Sequence, residues 1–120
     1  MIVTGALLAV DAAVANGALH VWSGVIDTLQ RPDPSVTVTP VLVVLTQAEG
    51  DGDTTEVVEL EIHGPDGSLQ KVELPVPEAT RSGTSAGFFF HRIGIAGPDG
   101  RYVLVVGSVS LPVEIRTNTP

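Results

Sequence analysis

The stretch of residues 57–74 constrains the fold of this chain more than any other. Apolar residues alternate with charged or polar residues on both sides of a Gly-Pro-Asp-Gly segment at 64–67. Alternation with a period of two places one set of side chains on each face of a β-strand. In the segment between them, Pro65 presets its own φ, Asp66 can bind its own backbone, and Gly67 tolerates positive φ. The stretch therefore predicts a β-hairpin with one apolar face and one charged face.

The rest of the chain repeats this pattern of short apolar segments separated by turn residues. Asn16-Gly17 predicts a second hairpin, because both central residues of a type I′ turn take positive φ. Pro40 lies within an apolar run and favours a β-bulge, since proline cannot donate to a strand ladder. No segment has a convincing helical period. The spacing predicts a single antiparallel β-sandwich of seven to eight strands, immunoglobulin-like or C2-like, with strands expected at residues 2–10, 18–23, 36–47, 57–63, 71–74, 88–95, 102–106 and 109–115.

The length and the connecting segments indicate one domain covering residues 1–120. Residues 75–85 are rich in Pro, Ser, Thr and Gly, which is typical of a long connection that crosses from one sheet of a sandwich to the other. A second Gly-Pro-Asp-Gly at 97–100 predicts another hairpin of the same style. Because only 4% of the residues are aromatic, aliphatic side chains must fill most of the core.

Charge and cysteine content exclude several classes of function. The net charge is −8, and the six Lys and Arg residues do not cluster, so a nucleic-acid backbone or an anionic membrane would be repelled. The absence of cysteine excludes disulfides and Cys-based zinc sites. The apolar opening at 1–15 lacks a preceding positive charge and is interrupted by Asp11, so we interpret it as a strand and not as a signal peptide. The expected location is the cytoplasm, without a transmembrane segment.

Two segments, one near each end of the chain, form a distinctive pair. Residues 6–13 read ALLAVDAA and are followed by Asn16-Gly17 and by ALHVWSG at 18–24, while PDGRYVLV stands at 98–105. These segments resemble a family of small uncharacterised bacterial proteins, whose members open with an ALLADAA-like segment, turn at Asp-Gly or Asn-Gly, and close with a PGRYEF-like strand. The chain departs from the pattern after Trp22, where a run of glycines is missing. The resemblance implies a bacterial β-sandwich of unknown function and transfers no catalytic residue.

No pattern of catalytic residues stands out, so the sequence predicts that the protein is not an enzyme. A Gly-x-Ser-x-Gly nucleophile turn is absent. Pro65 removes a backbone amide that a phosphate-binding loop would need. The histidines His20, His63 and His91 fall on separate predicted strands, and singly bonded or solvated histidines are a simpler interpretation than a shared zinc site.

An acidic glycine loop offers the one alternative ligand site. Glu49, Asp51 and Asp53 supply carboxylate oxygens of the kind that calcium prefers. The loop does not have the spacing of an EF-hand, because the late glutamate is missing. It therefore predicts either a solvated turn or a ligand- or calcium-binding module that uses residues 49–53.

Three consecutive phenylalanines give the strongest indication of function. Phe88, Phe89 and Phe90 cannot all point inward, because neighbouring side chains on a strand alternate between faces. An outward phenylalanine, together with Trp22 and an exposed strand edge, would form a contact for another protein chain unless a second layer of the same chain covers it. We therefore expect a non-enzymatic interaction module without a cofactor, either a homo-oligomer or a small subunit of a larger bacterial assembly.

Overall fold

The computed structural model describes residues 1–49, 53–81 and 86–118. Within these ranges the protein is almost entirely β-structure, with ten strands and one short helix. The all-β class predicted from the sequence is confirmed. The elements are β1 (Ile2–Ala9), β2 (Asp11–Ala15), β3 (Ala18–Trp22), β4 (Thr28–Arg31), β5 (Val41–Gln47), β6 (Val57–His63), β7 (Leu69–Pro75), α1 (Glu78–Arg81), β8 (Ala86–Arg92), β9 (Gly100–Val106) and β10 (Val109–Thr117).

The strands form two facing sheets and one additional hairpin. One sheet has the order β1-β5-β8, the other has the order β4-β10-β9-β6-β7, and β2 pairs with β3. All ladders are antiparallel except the one between β4 and β10. The prediction of an entirely antiparallel fold is therefore wrong for that ladder. The short strand β4 was not predicted as a separate element, since residues 25–29 carry no turn signal of their own.

The inward faces of both sheets supply one continuous apolar core. Alternate residues along each strand point inward, as the sequence pattern predicts, and removing their apolar surface from water is the main stabilising contribution. The five-stranded sheet contributes the larger share. Buried residues of this core include Leu8, Leu42, Val44, Leu60, Ile62, Leu74, Phe89, Tyr102, Leu104, Val106, Val113 and Ile115.

The central strand β5 is buried on both faces, which explains its unbroken apolar run. Leu42 and Val44 point into the main core, whereas Val41 and Val43 are covered on the other face by the β2–β3 hairpin. Asn16 and Gly17 at the hairpin turn have φ of 54° and 73°, as expected for a type I′ turn. The hairpin therefore acts as a third layer, which the sequence analysis did not predict.

Pro40 marks the start of β5 and not a bulge within it. Its carbonyl accepts a hydrogen bond of 3.0 Å from the amide of Ile93, and the β5–β8 register beyond it is unbroken. The predicted bulge at Pro40 is therefore wrong. The register shift in this sheet lies instead in the β1–β5 ladder, between Val3 and Gly5.

The two Gly-Pro-Asp-Gly segments have different structural roles. The first forms the predicted β6–β7 hairpin, in which Gly64 N–H donates to Ser68 O at 2.9 Å. The second connects β8 in one sheet to β9 in the other, so the prediction of a second hairpin is wrong. Gly97 at this crossing has φ of 139°, and a side chain there would collide with the Tyr102 hydroxyl, which donates to Pro98 O at 2.7 Å.

The connection from β7 to β8 also crosses between the sheets, as predicted, and contains α1.

Arg31, at the end of β4, is the main buried charge among the described residues. Only 1% of its surface is exposed. Its guanidinium donates to Val36 O at 3.1 Å, to Gly97 O at 2.8 Å and to the Asp99 carboxylate at 2.7 Å. Asp99 also accepts hydrogen bonds from Thr117 at the end of β10. These bonds, first those from Arg31 and then those from Thr117, hold the pKa of Asp99 below its ordinary value. The cluster ties β4, the crossing at 97–100 and β10 together.

Candidate interaction face

The two facing sheets have four edge strands, of which two carry protective features and a third is covered at one end. Edge strands present unpaired N–H and C=O groups on which another chain can pair. The edge strand β4 is only four residues long and is followed by Pro32. On β7, Lys71 and Glu73 place charges along the edge, and Pro75 at its end has no N–H to donate.

The end of β1 at Leu8 is covered by the chain that follows it. The carbonyl of Leu8 accepts a hydrogen bond of 2.8 Å from Ile26 N–H, and Val10 N–H donates to Trp22 O at 3.1 Å. These groups point away from β5 and would otherwise be available to a partner. The segment around Ile26 therefore blocks strand addition at this end of β1.

Among the described residues, β8 pairs with no strand on its outer edge, and its hydrogen-bonding phase can be read from the neighbouring ladder. Ile93 N–H donates to Pro40 O, and the hydrogen-bonded pairs of an antiparallel ladder recur at every second residue. Phe89 therefore bonds to β5, whereas Phe88, Phe90 and Arg92 direct their backbone groups away from the sheet. The hydrogen bond of 2.7 Å from Thr80 Oγ1 to Phe88 O fits this phase. In the part of the chain that the structure describes, no backbone partner from another strand lies beyond this edge.

The three phenylalanines lie on both faces of β8. Phe89 is 2% exposed and packs in the main core, where its ring meets His91 edge-on at a centroid distance of 5.8 Å. Phe88 and Phe90 point to the opposite face. Phe90 packs against the β2–β3 hairpin, while Phe88 pairs across the ladder with Leu45, which is 38% exposed. A second layer of the same chain therefore covers part of the phenylalanine face and leaves the Phe88 side open.

An apolar groove runs beside the open edge of β8. Its volume is about 490 Å³. Phe88 and Phe90 border it on the side of the sheet, and Val14 borders it at the tip of the β2–β3 hairpin. Val14 lies on the sheet-facing side of the hairpin, but the tip overhangs the sheet, so 54% of this residue remains exposed. Pro77 and Ala79 of the connection through α1 complete the groove.

The structure does not bring Trp22 to this groove. Trp22 stands at the far end of β3 from the hairpin tip and is 53% exposed. Its ring stacks on His20 with a centroid distance of 6.4 Å and an interplanar angle of 30°. Of the four predicted contact residues, Phe88 and Phe90 line one face of the groove, Phe89 borders it but buries its side chain in the core, and Trp22 lies elsewhere.

The carboxylate of Asp53 in the acidic loop is already hydrogen-bonded. One oxygen accepts from Thr55 N–H at 2.9 Å, and the other accepts from Glu49 N–H at 3.1 Å and lies 3.0 Å from the amino group of Met1. These contacts, led by those with Thr55, lower the pKa of Asp53 far below its ordinary range. Asp51 lies outside the described residues. Among the residues described, no group of three or more His, Asp or Glu side chains is arranged to hold a metal ion, and this includes His20, His63 and His91.

Millimolar calcium is expected to leave the melting temperature unchanged. A cation at Asp53 would have to displace donors that both carboxylate oxygens already engage. A ligand that binds only the folded state must raise the melting temperature, so differential scanning calorimetry with and without calcium tests this directly. Magnesium at the same concentration serves as the ionic-strength control. A rise with calcium alone would restore the calcium-binding alternative.

Comparison of the chain with protein-family models, curated proteins and solved structures finds no match. The resemblance of its two ends to small bacterial proteins, and the choice between an immunoglobulin-like and a C2-like sandwich, stay predictions. Within the described ranges, no helix has the length and apolar character needed to cross a membrane.

Sequence reasoning missed two walls of the groove. Val14 and the α1 connection lie far from Phe88 in the sequence, and no local pattern links them. The available signal was the apolar face of the β2–β3 hairpin, which carries Ala12, Val14, Leu19 and Val21. That face needs an apolar surface to cover, and the outer face of the phenylalanine sheet provides one.

Proposed function

We propose that the protein is a non-enzymatic interaction module that binds another protein chain along the edge of β8. The observation that carries the proposal is the coincidence of an open strand edge with an apolar groove at Phe88 and Phe90. Strand addition uses main-chain hydrogen bonds for affinity and side-chain pockets for specificity. The edge of β8 offers the hydrogen-bonding groups, and the groove offers the pocket.

The protection of the other edges supports the same proposal. A β-protein with four open edges would aggregate without selectivity, and short strands, edge charges and prolines prevent this. Such features are present on β4 and β7, and a covering segment lies over the end of β1 at Leu8. The strand β8 contains no acidic residue and carries an arginine only at its end. This contrast favours a selected binding edge over an accidental one.

Light scattering on the protein from its native source tests the proposal. The wild-type protein is expected to show a mass above that of one chain, either as a multiple or as a complex with a second protein. Phe88→Asp and Val14→Asp each place a charge at the groove and should reduce the mass to that of one chain. Leu69→Asp is the matched control, because Leu69 is an apolar residue of the other edge strand β7 with 48% exposure.

The control variant should keep the wild-type mass and a wild-type circular dichroism spectrum. A wild-type protein that remains a single chain throughout the accessible concentration range contradicts the proposal. So does an assembly that survives both groove substitutions, since another surface would then hold it together.

A further inference from the structure

We infer that the chain bound at β8 is a second copy of this protein, paired antiparallel through β8 about a twofold axis at Phe90. The inference rests on the proposed function and specifies its partner. Four residues of β8 direct their backbone groups off the edge, namely Ala86, Phe88, Phe90 and Arg92, and an axis at Phe90 pairs the last three of them. Antiparallel pairing about Phe90 places Phe90 opposite itself and Phe88 opposite Arg92 of the copy. Phe88, Phe90 and Arg92 of each copy then all belong to hydrogen-bonded pairs.

The twofold arrangement satisfies the edge groups reciprocally. A symmetric interface uses the same surface on both copies, so the donors of Phe88, Phe90 and Arg92 on one copy meet the matching acceptors of the other, while Ala86 lies outside the paired residues. The two three-stranded sheets would join into one continuous sheet of six strands. Among the described residues, the one partner of these edge groups is the Thr80 hydroxyl at Phe88 O, and a carbonyl oxygen can accept a second hydrogen bond.

Charge favours β8 as the place where two copies meet. Each chain carries a net charge of −8, so two copies repel each other over most of their surfaces. Residues 86–92 contain no acidic side chain. The guanidinium of Arg92 donates to Thr39 O at 2.7 Å and lies 3.5 Å from the carboxylate of Asp11, so its charge is locally balanced. In the proposed register Arg92 faces Phe88, so no like charges stand opposite each other.

The side chains on the outer face favour the same arrangement. At the axis the two Phe90 rings become neighbours, and aromatic pairs in contact are favourable beyond the area that they bury. An arriving β8 strand also lies along the side of the groove that Phe88 borders. The exposed surface that Phe88 and Val14 share would thereby be reduced.

Engineered cysteines test both the partner and the register, because the chain contains no cysteine of its own. Residues in a hydrogen-bonded antiparallel pair have Cα atoms about 5.5 Å apart, which is within the range that a disulfide spans. Phe90→Cys should give a crosslinked dimer on mild oxidation. Phe88→Cys and Arg92→Cys should crosslink efficiently only when the two variant proteins are mixed. The mixed experiment leaves Phe90 in place and so covers the case in which Phe90→Cys weakens the dimer.

Lys71→Cys on the edge of β7 is the control for random collision and should stay largely uncrosslinked. Equal crosslinking of Lys71→Cys and Phe90→Cys overturns the inference. Efficient crosslinking of Phe88→Cys with itself overturns the register at Phe90. A wild-type complex that contains a different protein, with no crosslinking between copies, removes self-pairing but leaves the interaction module intact. A single-chain mass under all conditions removes both.

Discussion

Replacing Phe89 by alanine is expected to lower the free energy of unfolding by about 4 kcal/mol, because it deletes a ring from the centre of the core. Phe89 is 2% exposed and contacts the inward faces of both sheets through the main core. Urea denaturation followed by tryptophan fluorescence measures the change. The slope of the transition should stay constant, since the folded state remains the same.

Phe88→Ala is the matched control for this measurement. It removes the same side chain from the adjacent position, but Phe88 lies on the partly exposed outer face. The loss should therefore be about 1 kcal/mol, near the centre of the range for single substitutions. Equal losses for the two variants would contradict the orientation of β8.

Because Phe89→Ala is expected to destabilise the fold, a loss of assembly in this variant could result from unfolding. Phe88 and Val14 are therefore the better sites for testing association.

Replacing Arg31 by alanine is expected to lower the free energy of unfolding by about 3 kcal/mol. The substitution leaves the carbonyls of Val36 and Gly97 without their donor and opens a space where a large buried side chain stood. Thermal and chemical denaturation both measure the effect. Arg116→Ala is the control, because Arg116 also pairs with a carboxylate, that of Glu114 at 2.8 Å, but is 58% exposed. Its removal should change stability little, as is usual for surface ion pairs.

The Arg31 cluster should also be visible in the dependence of stability on pH. The pKa of Asp99 is lower in the folded protein than in the unfolded chain, because Arg31 and Thr117 stabilise its charged form. Its contribution is therefore complete above the unfolded pKa of about 4 and is lost as the pH falls through the folded pKa. The difference in melting temperature between the wild-type protein and Asp99→Asn should be largest near neutral pH and shrink below about pH 4. A difference that stays constant down to about pH 2 would show that Asp99 acts through shape and not through charge.

Local alternation was sufficient to predict most strands, because it depends only on neighbouring residues. The β6–β7 hairpin and the Asn16-Gly17 turn follow directly from their sequences. The two Gly-Pro-Asp-Gly segments show the limit of such reasoning. Asp66 caps its own turn through Ser68 N–H, whereas Asp99 binds the distant Arg31 and Thr117. Identical tetrapeptides therefore differ in role because of partners that lie far away in the sequence.

The candidate site was predictable only in part for the same reason. Alternation required some of the three phenylalanines to point outward, but either phase of β8 satisfies that requirement. The phase is fixed by pairing with β5, where Pro40 and Ile93 begin the ladder. The covering of Phe90 depends on the placement of the β2–β3 hairpin, and the short α1 gave no periodic signal.

The pairing of β4 with β10 has a consequence for the synthesis of the protein. Thr28 and Glu114 are partners in one ladder, although nearly the whole chain separates them in sequence. A contact of this kind must close a very long loop before it contributes any stability, which slows folding. On the ribosome, β9 would expose an open, apolar edge until β10 emerges to lie between it and β4. The emerging chain is thus most vulnerable to misassociation after β9 has been made and before β10 has, because β10 is the strand that seals the larger sheet.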